Sequence, residues 1–254
     1  MKFVPVPIGA GPSKGQRILF SIWETRSKDY AAFVKDSGHD AGEAWKTHSS
    51  NSMPVGRGEN EKAEDSSHPV VAVSHDDAVA FCAWLTKKDR ASGQIGPKDE
   101  YRLPSDVEWS YAVGIGDQES ANSSPKDKDM KIDGVYPWGS TFPPPAGSGN
   151  YVDTTAKAKV GSNWIPIEGY TDGYATTAPV GSFKANALGL HDMGGNLYEW
   201  TGSPDESGSA YRVLRGASWT GFITSDSLSS CRMTYGAGHR FNFFGFRCVL
   251  VVGR

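Results

Sequence analysis

Glu199 sits between Tyr198 and Trp200, and a carboxylate flanked by two large rings that fold inward needs a partner. A metal ion, an arginine or backbone amides could serve. Just ahead of it, Gly194-Gly195-Asn196 reads as a tight turn that requires positive φ or a close backbone approach. Arg215 and Arg247, each close to a glycine in an apolar context, are candidates for buried structural ion pairs. Other chemistry-bearing residues are sparse. Three cysteines, Cys82, Cys231 and Cys248, are too few for a disulfide scaffold and lack zinc spacing. His68, His75, His191 and His239 share no metal spacing. The chain shows no phosphate loop, no Ser-His-Asp order and no paired-carboxylate motif.

The elements that must position these groups are unevenly legible. The 254 residues suffice for one large core, and no linker or internal repeat divides them, so a single domain over 1–254 is expected. Ser27 can cap a short helix with Tyr30, Phe33 and Val34 on one face. Ser74 opens a second, in which Ala78, Phe81, Cys82 and Leu85 follow helical spacing, and the preceding HPVVAV reads as a strand feeding it. Ser105 and Glu108 form a capping box for a third, which runs through Trp109 and Tyr111. Polar, Gly/Ser/Lys/Asp-rich stretches at 36–67 and 114–131 read as surface loops. Short β-branched or aromatic segments follow late, at Tyr211–Leu214 and Phe243–Val252, giving an α+β chain with long connections.

A net charge of −3 and a pI near 6.1 argue against a nucleic-acid footprint. The opening MKFVPVPIGAGPSKG has no apolar run of signal-peptide length, and no stretch approaches the ~20 apolar residues of a membrane span. The expectation is a cytoplasmic protein with no nucleic-acid or membrane partner.

The ordered motifs resemble a known family across nearly the whole chain. They are Trp23-Glu24-Thr25 with Tyr30-Ala31-Ala32-Phe33, HPVVAVSHDDAVAFCAW, and Arg102-Leu103-Pro104-Ser105 with Glu108-Trp109. Pro137-Trp138-Gly139, Ala178-Pro179-Val180-Gly181 and Asn186-Ala187-Leu188-Gly189-Leu190 follow, then the Gly194–Trp200 run, Arg215-Gly216-Ala217-Ser218-Trp219 and Gly245-Phe246-Arg247. Together they resemble the formylglycine-generating enzyme, or sulfatase-modifying factor, family. The resemblance implies a single-domain C-type lectin-like fold with few regular elements.

The chain departs from that enzyme where its chemistry resides. The family's two copper-holding cysteines match Gly221 and Asp226, which cannot form thiolates or bind Cu(I). Neither copper nor catalysis is therefore expected. Structural cysteines of the family match Cys82 and Cys231, which the resemblance makes a possible disulfide pair, with two buried thiols favoured in a reducing compartment. Cys248 reads as inert core. The resemblance also implies Ca²⁺ held by the Asn150 side chain, the Tyr151 carbonyl, Asp172 and the Tyr174 carbonyl, since oxygen-only ligands suit a hard cation. A second family site is similar around Asn196 and Glu199.

The C-terminal region, 219–247, has an unusual composition. From Thr220 onward the chain contains no Lys, Glu, Gln or Trp and a single Met. Those five types are the ones an AAC asparagine codon cannot reach through changes at its adenines. This pattern resembles the variable proteins of diversity-generating retroelements, which place adenine-mutated codons in this part of the fold. Thr220, Phe222, Met233, Thr234, Tyr235, His239, Phe241, Phe243 and Phe244 are the candidate ligand-binding residues, with an aromatic and small-polar mix like that of a paratope. The expected partner is a protein or another macromolecule. The alternative is an altered-chemistry enzyme or a regulatory domain, because the N-terminal segment resembles family members fused to bacterial kinases.

Overall fold

Period-two burial begins earlier than the sequence suggests: Ile18 and Phe20 are fully buried and Leu19 only partly, the mark of a half-buried strand. The computed structural model describes residues 1–47, 49–50, 53–54, 66–160, 165–221 and 224–253. In chain order they form β1 (Phe3–Val6), β2 (Arg17–Ser21), α1 (Ser27–Ser37), α2 (Ala44–Thr47), β3 (Ser49–Ser50), β4 (Met53–Pro54), α3 (His75–Ala91), β5 (Glu100–Arg102) and α4 (Asp106–Val113). Then come α5 (Pro125–Lys128), α6 (Thr154–Val160), β6 (Tyr198–Pro204), β7 (Tyr211–Arg215), β8 (Met233–Gly236), β9 (Phe244–Gly245) and β10 (Val249–Val252).

One antiparallel sheet, ordered β1-β2-β10-β5, ties the first strands to the last; the other is ordered β8-β7-β6-β9, with β6 and β9 parallel. The architecture is the expected α+β, but its strands are not confined to the end of the chain. Pro5 suits β1 because β1 lies at a sheet edge, where a missing N–H is tolerated.

The helices expected to open at Ser74 and Ser105 both form. Ser74 and Asp77 make a reciprocal capping box on α3, and Ser105 and Glu108 make one on α4. The first cap differs: Arg26 is the N-cap of α1, while the Ser27 hydroxyl donates to the Pro69 carbonyl. Nor is HPVVAV a strand. Val70, Val71, Ala72 and Val73 are buried, but their backbone bonds go to separate segments, Val70 N–H to Thr25 and Ala72 N–H to Phe241. An apolar run satisfied by scattered partners cannot be told from a strand by pattern.

Charges are buried in pairs. Arg247 grips Glu199 through Nε at 2.7 Å and Nη2 at 2.6 Å, with both side chains fully inaccessible. Arg215 Nη1, Arg232 Nε and Lys128 Nζ converge on Asp106 at 2.5, 2.9 and 2.6 Å, and Arg232 also reaches Glu119 at 2.7 Å. The guanidinium of Arg215 lies 4.4 Å above the Trp109 ring. Among the described residues no helix is long and apolar enough to cross a membrane.

Candidate recognition face and cation site

Backbone hydrogen bonds pin the C-terminal segment at several points. Ala237 and Phe241 carbonyls accept from His75 and Ala72 N–H, and the Phe243 carbonyl accepts from Tyr198 N–H. Arg240 forks onto Asp77 of α3 at 2.7 and 2.9 Å. Four rings are thereby presented together. Tyr235 stands 5.4 Å from both His239 and Phe241, His239 stacks on Phe241 at 6.1 Å, and Phe241 stacks on Phe243 at 5.3 Å. His239 is exposed and the other three are half-buried. Exposed Thr234 and half-buried Met233 lie on β8 beside them.

Thr220 joins this face through its neighbour: Trp219 packs against Phe243 and donates Nε1–H to the Asn242 carbonyl at 3.3 Å. Phe222 lies outside the described residues. Phe244, expected on the face, is instead fully buried against Tyr235, Phe241 and Phe243. The chain turns there, with Phe244 N–H bonded to the Phe241 carbonyl, so side-chain alternation does not hold. Trp219, Cys231, Gly245 and Arg247 are all buried and frame the face.

Where the family has thiols, this chain has other interactions. Buried Gly221 donates to the Ser218 carbonyl at 2.8 Å and accepts from Val152 N–H at 3.1 Å. Asp226 is half-buried in a short turn of 3₁₀ helix, Ser225–Ser227, and its carboxyl is pushed up by burial and by Asp129. The remaining cysteines are buried free thiols. Burial, with Asp129 and Asp226 nearby, pushes Cys231 up to about 12, far from thiolate formation at neutral pH. Cys82 and Cys231 are not bridged, in line with the two buried thiols expected; Cys82 Sγ instead lies 3.3 Å from Cys248 Sγ, between α3 and the approach to β10.

Of the first set of expected cation ligands, Asp172 accepts from the backbone N–H groups of Tyr151 at 2.9 Å and Tyr174 at 2.8 Å, which draws the two loops onto one carboxylate. Asn150 is buried beside them, its Nδ2 bonded to the Thr176 carbonyl and to Asn196 Oδ1, while its Oδ1 has no hydrogen-bond partner. Burial pushes the Asp172 carboxyl up to about 7, with Asp153 adding to it against those two amides. An unpartnered buried amide oxygen and a carboxylate short of positive charge fit a hard cation.

Asp153 carries no role in the sequence reading, yet it accepts from Thr171, Asp172 and Gly173 and shapes the loop that holds Asp172. Its position three residues after Asn150 was the available signal. The second expected set is organised otherwise. Both Glu199 oxygens face Arg247, and Asn196 bonds Glu24, Asn150 and Ala178. The partner Glu199 required is thus an arginine. The turn before it is as expected, with Gly195 at φ 79° and Asn196 at φ 59°. Glu24, buried and unassigned from sequence, anchors both Asn196 and Leu197 N–H.

Comparison with known proteins agrees with this geometry. The model of the sulfatase-modifying factor enzyme 1-like domain matches residues 19–252. An inactive C-alpha-formylglycine-generating enzyme 2 from Bos taurus is 32% identical over 206 residues, covering 78% of this chain and 54% of that protein. The chain thus spans about half the length of this curated relative. Among solved structures, PvdO from Pseudomonas aeruginosa superposes with a TM-score of 0.60 at 22% identity, covering 99% of this chain and 91% of that one. Treponema denticola variable protein 1 gives 0.58 at 17% identity, covering 97% and 90%. Both share the fold. On these matches, and on the ordered motifs that build the Glu199–Arg247 core, the chain belongs to the sulfatase-modifying factor family.

Proposed function

We propose that this chain is a non-catalytic recognition protein, which uses the formylglycine-generating-enzyme-like scaffold to display a C-terminal face diversified by a retroelement. The observation that carries the reading is the set of rings at Tyr235, His239, Phe241 and Phe243, one exposed and three half-buried, on a segment whose backbone is fixed elsewhere. Rigid aromatics lose little entropy on binding and dominate recognition surfaces. Two likenesses support it, one in sequence to an inactive enzyme and one in fold to a variable protein. The ligand is a protein or another macromolecule. The recognition half is tested by diversifying the face positions together and asking whether the fold survives.

The non-catalytic half has its own test. Incubated with a cysteine peptide of the sulfatase type, copper and reductant, the protein is expected to leave the cysteine unchanged, since Gly221 and Asp226 supply no thiolate. Mass loss corresponding to aldehyde formation, above a heat-killed control, would overturn this half.

Calcium is the proposed cofactor, held by Asn150, Asp172 and the carbonyls of Tyr151 and Tyr174 as a structural clamp on two loops. At ~100 times its dissociation constant a native-state ligand adds ~2.7 kcal/mol. The pH dependence has a definite sign. The folded Asp172 carboxyl lies at about 7, above its usual 3.8, so the contribution of its protonated form is present below pH 4 and lost as pH rises to 7. Ca²⁺ competes with that proton, so its stabilisation should grow through the same window. Thermal melts with and without chelator at pH 5 and pH 8 read this out. Equal chelator effects in wild type and Asp172→Ala would exclude the site.

A further inference from the structure

β8 is the outer strand of its sheet, bonded to β7 along one side. Backbone groups of an antiparallel strand point alternately toward the neighbour and away from it. Two contacts fix the phase. Arg232 N–H donates to Asp129 Oδ1 at 2.7 Å, and the Gly236 carbonyl accepts from His239 N–H at 3.1 Å. Met233 and Tyr235 therefore pair with β7, and Thr234 turns its N–H and C=O outward. Asp129 closes one end of this edge and the His239 turn closes the other. Among the described residues, what stays open is one exposed residue, Thr234, in the middle of the recognition face. A backbone donor and acceptor on a single edge residue complement another backbone in extended form.

The flanks state the chemistry of that backbone's side chains. Toward Gly236 stand Tyr235, His239 and Phe241. Toward Arg232 stands Asp129, whose Oδ1 holds the Arg232 N–H at 2.7 Å, and Asp226 of the Ser225–Ser227 turn lies near enough to Asp129 to feel its charge. Neither forms an ion pair among the described residues, whereas Asp106 and Glu119 are ion-paired to arginine and lysine. Two unpaired, half-buried carboxylates attract a basic group.

We propose that an extended polypeptide segment adds to the free edge of β8 as one further strand, paired through Thr234, with an apolar side chain over Tyr235 and Phe241 and a lysine or arginine at Asp129 and Asp226. This rests on the recognition reading above and names its partner class. The unpaired acids decide for a basic peptide over a folded domain docking on the rings alone.

The test selects a phage-displayed library of short linear random peptides on the full chain and remakes the enriched peptides synthetically. Enriched sequences should carry a basic residue in step with alternating apolar positions. Methylating the one peptide amide that pairs with Thr234 should weaken binding at least ~10-fold, while methylating its outward-facing neighbour should not. Thr234→Pro should have the same effect, and Asp226→Asn should weaken basic peptides more than their norleucine analogues. N-methylation of the peptide leaves the protein untouched, so the result stands even if Thr234→Pro unfolds. Failure to enrich any peptide overturns strand addition. Peptides that need Tyr235 and Phe241 but tolerate every N-methylation also overturn it, while leaving the recognition face in place. Peptides indifferent to both the amide and the rings would remove the recognition reading as well.

Discussion

Asp106→Ala is expected to cost ~3–5 kcal/mol, a large share of the ~5–15 kcal/mol that holds a domain together. The side chain is almost wholly inaccessible and is the common partner of Arg215, Arg232 and Lys128, themselves buried. Without it three cations face Glu119 alone, and a buried unpaired charge is far costlier than a lost surface bridge. For a chain of this size the loss corresponds to a melting temperature lower by ~6–20 °C. Burial alone would push the Asp106 carboxyl up, but Arg215, Arg232 and Lys128 outweigh it and hold the group far below the usual carboxylate range. Its folded pKa is depressed, so its contribution is present above 3.8 and is lost as pH falls below that value. Urea titrations of wild type and Asp106→Asn between pH 3 and pH 7 should therefore show a constant gap down to about pH 4 that begins to narrow, without closing, towards pH 3. A variant within ~1 kcal/mol of wild type at pH 7 would show that the network is dispensable.

This hub marks the limit of what the sequence reveals. Asp106 meets its arginines across 109 and 126 residues of chain, and no local pattern encodes such a meeting. Legible features were those with local chemistry: the Ser74 start of α3, the capping box of α4, the Gly195-Asn196 turn, and the arginine candidates Arg215 and Arg247. β1 and β2 went unseen because four- and five-residue strands carry too few periods, and a proline in β1 argues against a strand unless its edge position is known. In the candidate site, Asn150 and Asp172 were legible as motif residues. Asp153 was not, because it acts through the loop backbone. Phe243 and Phe244 differ only in burial, which a turn decides. The Cys82–Cys248 contact likewise depends on how β10 lies against α3, which spacing cannot supply.

Phe241, Phe243 and Phe244 are one residue type within four positions, and the recognition account assigns them opposite tolerances. Tyr235, Phe241 and Phe243 are half-buried and Thr234 and His239 exposed, so replacing each should cost ~1 kcal/mol, the centre of the range for point changes. Phe244, Phe246, Trp219 and Arg247 are buried, and truncating a buried Phe or Trp costs ~3–5 kcal/mol. The decisive measurement compares two surface-displayed libraries of the full chain, both built from codons with random first and second bases and a fixed final cytosine. One diversifies Thr220, Thr234, Tyr235, His239, Phe241 and Phe243; the other diversifies Trp219, Phe244, Phe246 and Arg247. Each is challenged with protease, and surviving members are counted. The account predicts that most of the first library resists cleavage and almost none of the second does. Loss of the first library as complete as that of the second would show that these residues are core and that the chain has no displayable face.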